Sequence, residues 1–203
     1  MFRISLIFLI AFIFIGCGKN QMLPKKEESV KAVKIKKTIY KKRHSDVNIK
    51  TLAFSLANHL GVGVSTKEVK EDILSLVLKD DFVKISMKAG FVFPQNSYKL
   101  TFEAINLLDL ISKELKKYPN LIIEIAGHSD NSGNYAYNYR LSERRALSIK
   151  DILLKGLKND FLTTGCSFKK PLFKKADEYT LSLNRRVEIF LFKDIDDVFD
   201  VCK

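Results

Sequence analysis

LIIEIAGHSDNSGNYAYNYRLSERRALSIKDILLKGL, residues 121–157, holds a strand, a loop and a helix whose reading decides the fold. Leu121 to Ala126 is a short apolar run that follows Pro119-Asn120, and it predicts a strand. Gly127 to Asn134 (GHSDNSGN) is small and polar, as a loop requires. From about Tyr139 to Leu157 the apolar residues return with a 3.6-residue period, which predicts a helix. Stepped at about 100° per residue, Leu141, Ala146, Ile149, Ile152 and Leu153 form one stripe. Arg145 falls inside that stripe, while Glu143, Arg144, Lys150 and Asp151 fall on the other side. A guanidinium does not shed its proton, so a half-buried arginine requires a carboxylate or a comparable acceptor. The nearest in the preceding loop is Asp130. Two arrangements satisfy the pattern. Asp130 and Arg145 form an internal ion pair, or they stand apart and clamp a zwitterion, the carboxylate taking an ammonium and the arginine a carboxylate.

The flanking segments alternate between the two periods. Val77 to Met87 (VLKDDFVKISM) reads as a strand, a turn at Asp80-Asp81 and a second strand. Phe91 to Phe93 reads as a further extended segment, broken by Pro94. Leu100, Ala104, Leu107, Leu108, Ile111 and Leu115 keep a helical period over about Leu100 to Tyr118, with Lys113, Lys116 and Lys117 near the C-terminal end of the dipole. Leu172 to Leu183 reads as irregular. Asn184 to Phe192 (NRRVEIFLF) closes with a strand. Strands alternating with helices predict a sheet with helices packed on it. Upstream, Thr51 to Leu60 and Lys67 to Leu78 read as short amphipathic helices.

The 203 residues carry 35 basic and 23 acidic side chains, a net charge of +12, which points to a polyanionic neighbour. The N-terminus indicates which. Residues 1–17, MFRISLIFLIAFIFIGC, place one arginine before a 12-residue uncharged run, Ile4 to Ile15. As a helix that run spans ~18 Å, short of the ~20 residues a bilayer core needs. A secretory signal fits it better than a span. Ile15-Gly16-Cys17 resembles the end of a bacterial lipoprotein signal, with Phe14 where Leu or Val is commoner. An uncleaved signal anchor is the alternative. The resemblance implies acylation at Cys17, and Gly18 rather than Asp after it points to the outer membrane. Export removes nucleic acid from the expected partners and leaves cell wall and lipid head groups. Between Lys25 and Lys50 ten basic residues face three acidic ones without periodicity, as in a flexible tether. Cys166 and Cys202 make an even pair that suits a disulfide in an oxidising compartment, with two separate thiols as the alternative. No CxxC or HExxH occurs, and His44, His59 and His128 are scattered, so no metal or cofactor is expected. No nucleophile–base pair is visible, and the chain is expected not to be an enzyme.

The segment IAGHSDNSGNYAYNYRLSERRA, the glycine and proline of TTGCSFKKP and the closing NRRVEI together closely resemble the OmpA-like C-terminal domain, the family that includes peptidoglycan-associated lipoproteins. The motif is long and ordered. It is matched at Gly127, His128, Ser129, Asp130, Gly133, Asn138, Leu141, Ser142, Arg145, Ala146 and at Asn184 to Glu188. The resemblance implies an α+β fold, a two-layer sandwich in which a mixed sheet is backed by helices. It implies peptidoglycan as the partner, bound through the diaminopimelate residue of its stem peptide. Asp130 and Arg145 would hold the ammonium and carboxylate of that residue. Asn138 would contact the ligand or cap the helix, Arg185 would lie near it, and Asn96 matches an asparagine of some members on the loop after the first core strand. The chain departs from the family pattern at Pro94, at Cys166-Ser167 and in the basic run Lys169 to Lys175 (KKPLFKK). The expected organisation is a signal peptide (1–16), a basic tether (17–50), a short helical segment (51–75), the wall-binding domain (76–193) and a tail (194–203). The expected role is to tether the outer membrane, through the lipid anchor, to the wall. The alternative is a wall-anchoring component of an envelope machine, such as a flagellar motor or secretion system, with envelope protein partners.

Overall fold

The computed structural model describes residues 46–70, 72–175 and 177–203. Cys17 and the segments expected to be signal peptide and, for all but its last residues, tether lie outside them. Among the described residues six strands form one mixed sheet in the order β1-β2-β3-β6-β4-β5. They are β1 (Val64–Ser65), β2 (Leu74–Leu78), β3 (Phe82–Lys88), β4 (Ile122–His128), β5 (Asp160–Ser167) and β6 (Arg186–Phe192). The two outer pairs, β1–β2 and β4–β5, are parallel, and the three inner pairings are antiparallel. Helices α1 (Ile49–Leu60), α3 (Phe102–Leu115) and α4 (Tyr135–Leu153) cover one face; α2 (Ala89–Val92) and α5 (Glu178–Asn184) are short. This is the α+β mixed-sheet fold that the sequence predicts.

Strand alternation sorts side chains onto two faces. Ile85, Ile123, Ile125, Val187 and Ile189 meet Leu52, Leu108, Ile111, Ile149 and Leu153 from the helices. Ile122, Ala126, Leu162, Phe190 and Phe192 point the other way, and the C-terminal tail covers them with Ile195, Val198 and Val201. A disulfide joins Cys166 at the end of β5 to Cys202 across that back face, with Cα atoms 5.1 Å apart. The tail expected to trail from the domain is therefore part of its second core.

Several boundaries differ from the sequence reading. The segment 51–75 is not separate. Asn48 caps α1, its Oδ1 accepting from the Lys50 and Thr51 amides at 3.0 and 3.1 Å, and Leu52, Ala53 and Leu56 are buried. No helix forms over 67–78; its apolar end is β2, paired with β3 through the turn at Asp80-Asp81. Short apolar runs fit both periods, and here pairing decides. Phe91 to Phe93 is not extended. A single helical turn closes with Phe93 N donating to Ala89 O at 2.8 Å, and Pro94 stops it. Helix α4 begins one turn early, because Asn134 caps it by accepting from the Ala136 and Tyr137 amides. Strand β5, with two threonines and a glycine, gives no clean alternation and went unpredicted. So did α5, which Asp177 caps through the Thr180 amide.

Candidate functional site

Two glycines set where the site forms. A Cβ on Gly127 of β4 would sit 2.0 Å from Ser142 O, and one on Gly165 of β5 would sit 2.9 Å from Tyr139 O. Helix α4 therefore lies directly on the ends of both strands. Its first turns, with Asn138, Ser142 and Arg145, sit beside the loop that leaves β4 at His128. Ser142 Oγ also accepts from the Ser167 amide at 3.2 Å, tying α4 to the end of β5.

Asp130 lies in that loop and is only 5% exposed. Its Oδ1 accepts from the Ser132 amide at 2.9 Å and from the Ser132 hydroxyl, an Asx turn that orients the carboxylate. Its Oδ2 accepts from Arg185 Nη1 at 2.6 Å. Burial pushes the Asp130 carboxyl up, but the bonds from Ser132 and Arg185 outweigh it and hold the pKa below the usual aspartate value. Asn138 does not cap the helix. It braces the loop, its Nδ2 donating to Ser132 O at 2.7 Å and to Asp130 O at 3.4 Å.

Arg145 is 6% exposed on the apolar stripe where the helical period places it. Its Nε donates to Ser97 O at 2.9 Å, and its guanidinium lies over the Phe93 ring, 5.0 Å from the centroid. It forms no ion pair with Asp130 or with any other carboxylate among the described residues. Burial draws its pKa down, with only Coulombic pull from groups such as Tyr137 and Asp130 opposing. The cation partner of Asp130 is instead Arg185, which also pairs with the exposed Glu178 at 2.6 Å. The internal Asp130–Arg145 pair allowed by the sequence does not form. One end of the site is a buried carboxylate with a one-third-exposed cationic partner. The other end is a buried cation with no carboxylate in contact among the described residues.

Asn96 occupies the loop that supplies Ser97 O, with φ of 53°, a conformation asparagine tolerates. It is exposed at the rim. The structure thus brings Asp130, Asn138, Arg145 and Arg185 to one end of the sheet, with Asn96 beside them. Cys17 lies outside the described residues. Sequence reasoning missed three participants. Ser132 was findable, since Asp-x-Ser in a loop signals an Asx turn. Phe93 and the Ser97 carbonyl carry no local signal. It also missed the charged cluster behind the loop, where Glu188 Oε1 accepts from Lys84 Nζ at 3.1 Å and Arg186 Nε at 3.0 Å, and Oε2 meets His128 Nε2 at 3.0 Å. Its signal is Arg186 and Glu188 two residues apart on a strand, hence on one face. Among the described residues no group of three or more metal-ligating side chains forms.

Residues 92–183 match the OmpA family. The chain is 36% identical over 111 residues to outer membrane porin F of Pseudomonas fluorescens, a match covering 52% of this chain and 32% of that protein. It is 34% identical over 101 residues to the peptidoglycan-associated lipoprotein of Pseudomonas putida, covering 49% of this chain and 60% of that one. Among solved structures, the cell wall anchor of the T6SS from Pseudomonas aeruginosa is similar at 27% identity and a TM-score of 0.57, covering 68% of this chain and 97% of that one. The chain spans about a third of the length of the first curated relatives it matches.

Proposed function

Residues 92–183 are a domain of the OmpA family, and from that premise we propose that the chain binds peptidoglycan non-covalently and catalyses no reaction. The ligand is the zwitterionic end of a diaminopimelate residue in the stem peptide. The observation that carries the reading is the pair of separated, buried, opposite charges: Asp130, whose carboxylate is oriented by Ser132, and Arg145, whose guanidinium has no carboxylate partner among the described residues. A buried unpaired cation is costly, and a bound carboxylate relieves that cost. The ammonium of the same ligand replaces Arg185 on Asp130 Oδ2, and Arg185 keeps Glu178. Phe93 and the Ser97 carbonyl fix the guanidinium plane, so its remaining N–H groups present a fork to the incoming carboxylate. Asn138 holds the loop at the spacing the ligand needs.

The porin and lipoprotein relatives favour an outer-membrane setting, with Cys17 acylated and the tether spanning to the wall. Many weak sites on one polymer then give avidity. The test is co-sedimentation with purified sacculi. Asp130→Ala and Arg145→Ala each abolish pelleting while circular dichroism shows a folded domain; pelleting of both variants at the parent level refutes the clamp.

A second reading rests on the secretion-system anchor, nearly all of which is covered by this chain. The same wall-binding site would then belong to a component of an envelope machine. Cross-linking in intact envelopes followed by affinity purification separates the two. A defined set of machine proteins recovered with the full chain supports the second reading, and recovery of wall fragments alone supports the simple tether.

A further inference from the structure

The back face of the sheet carries a second concavity of about 330 Å³, within the size range of small-molecule sites. Three segments that the Asp130–Arg145 site does not use enclose it: the stretch at Glu68–Lys70, the basic KKPLFKK loop at Lys170–Leu172, and the tail at Phe199. Its walls are of two kinds. On one side Phe82, Phe190 and Phe199 lie with ring centroids 5.3–5.8 Å apart. On the other stand five cations, Lys70, Lys79, Lys84, Lys170 and Arg186, against two carboxylates, Glu68 and Glu188.

Both carboxylates are already engaged. Lys84 bonds Glu68 and Glu188, and Arg186 bonds Glu188. That leaves three ammonium groups, and each donates only to a main-chain carbonyl: Lys70 to Leu172 O at 3.3 Å, Lys79 to Thr66 O at 2.8 Å and Lys170 to Val201 O at 3.4 Å. An ammonium carries three donors, so each has donors left. Three positive charges therefore line a partly aromatic hollow with no counter-charge among the described residues. The hollow is also built rather than incidental. The Cys166–Cys202 bridge fixes the tail that supplies Phe199, and Lys170 lies over the Phe199 ring, 5.8 Å from its centroid. The KKPLFKK run, which departs from the family pattern, supplies its rim.

We propose that this concavity is a second ligand site, which takes a small amphipathic anion: a carboxylate or phosphate among Lys70, Lys79 and Lys170, with an apolar body against Phe82, Phe190 and Phe199. It is separate from the wall site and does not rest on the proposed function. Charge-assisted bonds to the lysines fix the head group, and burial of the apolar body adds the rest.

The test uses the full chain in isolated envelopes. A photoactivatable diazirine analogue of decanoate is added, the sample is irradiated, and adducts are mapped by mass spectrometry. Adducts concentrate on the peptides that hold Phe82, Lys170–Leu172 and Phe199. Decanoate, decyl phosphate or both compete, which identifies the head group, and decanol does not. The double variant Lys70→Glu, Lys170→Glu loses labelling by about tenfold or more, the loss of at least one charge-assisted bond, and keeps the protease resistance of the parent. Adducts spread over the chain, competition by decanol equal to that by the anions, or labelling unchanged in a protease-resistant double variant would each overturn the proposal. The decanol comparison uses the parent chain alone, so it decides the matter even where the variant does not fold.

Discussion

Arg145 lies buried on α4 with its guanidinium held between the Ser97 carbonyl and the Phe93 ring. Its place on an apolar helical stripe marks it as buried and in need of an acceptor; the structure supplies the Ser97 carbonyl but no carboxylate among the described residues. What the sequence leaves open is the partner of Asp130, because Arg185 lies 55 residues away along the chain and nothing local connects them. The geometry at Arg145 favours a planar fork over a point charge. Arg145→Lys keeps the charge but loses the fork, so sacculus affinity falls by about tenfold or more, in line with one charge-assisted bond; affinity within twofold of the parent would show that charge alone suffices. The pH dependence at Asp130 has a defined sign. Its pKa is held below the usual aspartate value, so binding is fully present at neutral pH and declines only as pH falls through that lowered value. A binding curve that already declines near pH 6 would contradict this.

At the scale of elements, the strand–loop–helix unit of β4 and α4 was legible because its periods are clean and its glycines sit in a known motif. The short elements were not. Helix α2 and strand β2 are apolar runs that fit either period, and α5 depends on a cap at Asp177 rather than on a stripe. Strand β5 is fixed by pairing with β4, not by its own pattern. Gly127 and Gly165 carry a cost that can be measured. The Cβ of Gly127→Ala meets the backbone of Ser142, and a helix backbone does not yield as a flexible side chain would. The variant is destabilised by about 3 kcal/mol, the upper part of the usual overpacking range, and its sacculus binding falls because α4 carries Arg145. Urea unfolding checks the first effect. An unchanged midpoint would show that α4 is less firmly seated on β4 than the geometry implies.

The described residues build two cores, and only one is readable in the sequence. The helix-facing core follows from periodicity. The back-face core depends on a C-terminal tail that looks like a polar extension and on a disulfide the sequence allows but does not require. The bridge joins cysteines at a sequence separation of 36, so on the loop-entropy account Cys202→Ser costs about 3–4 kcal/mol; a thermal midpoint equal to the parent would mean that the tail packs as well without it. Beneath the same face His128 is fully buried, and burial first, then the charge of Arg186, lowers its pKa to about 4 against the opposing pull of Glu188. The folded protein thus holds this imidazole neutral while the unfolded chain protonates it near pH 6.5. Between those values the unfolded state binds more protons, so stability falls as pH drops from about 6.5 to about 4. Glu188, held well below its ordinary value despite burial because His128, Arg186 and Lys84 surround it, loses its contribution at still lower pH. His128→Asn flattens the upper part of that slope, read by thermal unfolding at each pH; an unchanged slope would assign it to other groups.

The clamp itself is tested most directly by competition for the sacculus. Free diaminopimelate and cadaverine both offer two ammonium groups on the same five-carbon spacing, but cadaverine lacks any carboxylate for Arg145 to grip. Sacculus co-sedimentation of the full chain in the presence of either compound separates the clamp from general attraction to an anionic polymer. Displacement by diaminopimelate, none by cadaverine at the same concentration, and insensitivity of both results to moderate salt are expected. Equal displacement by the two compounds, or release by salt alone, would contradict a site built from Asp130 and Arg145.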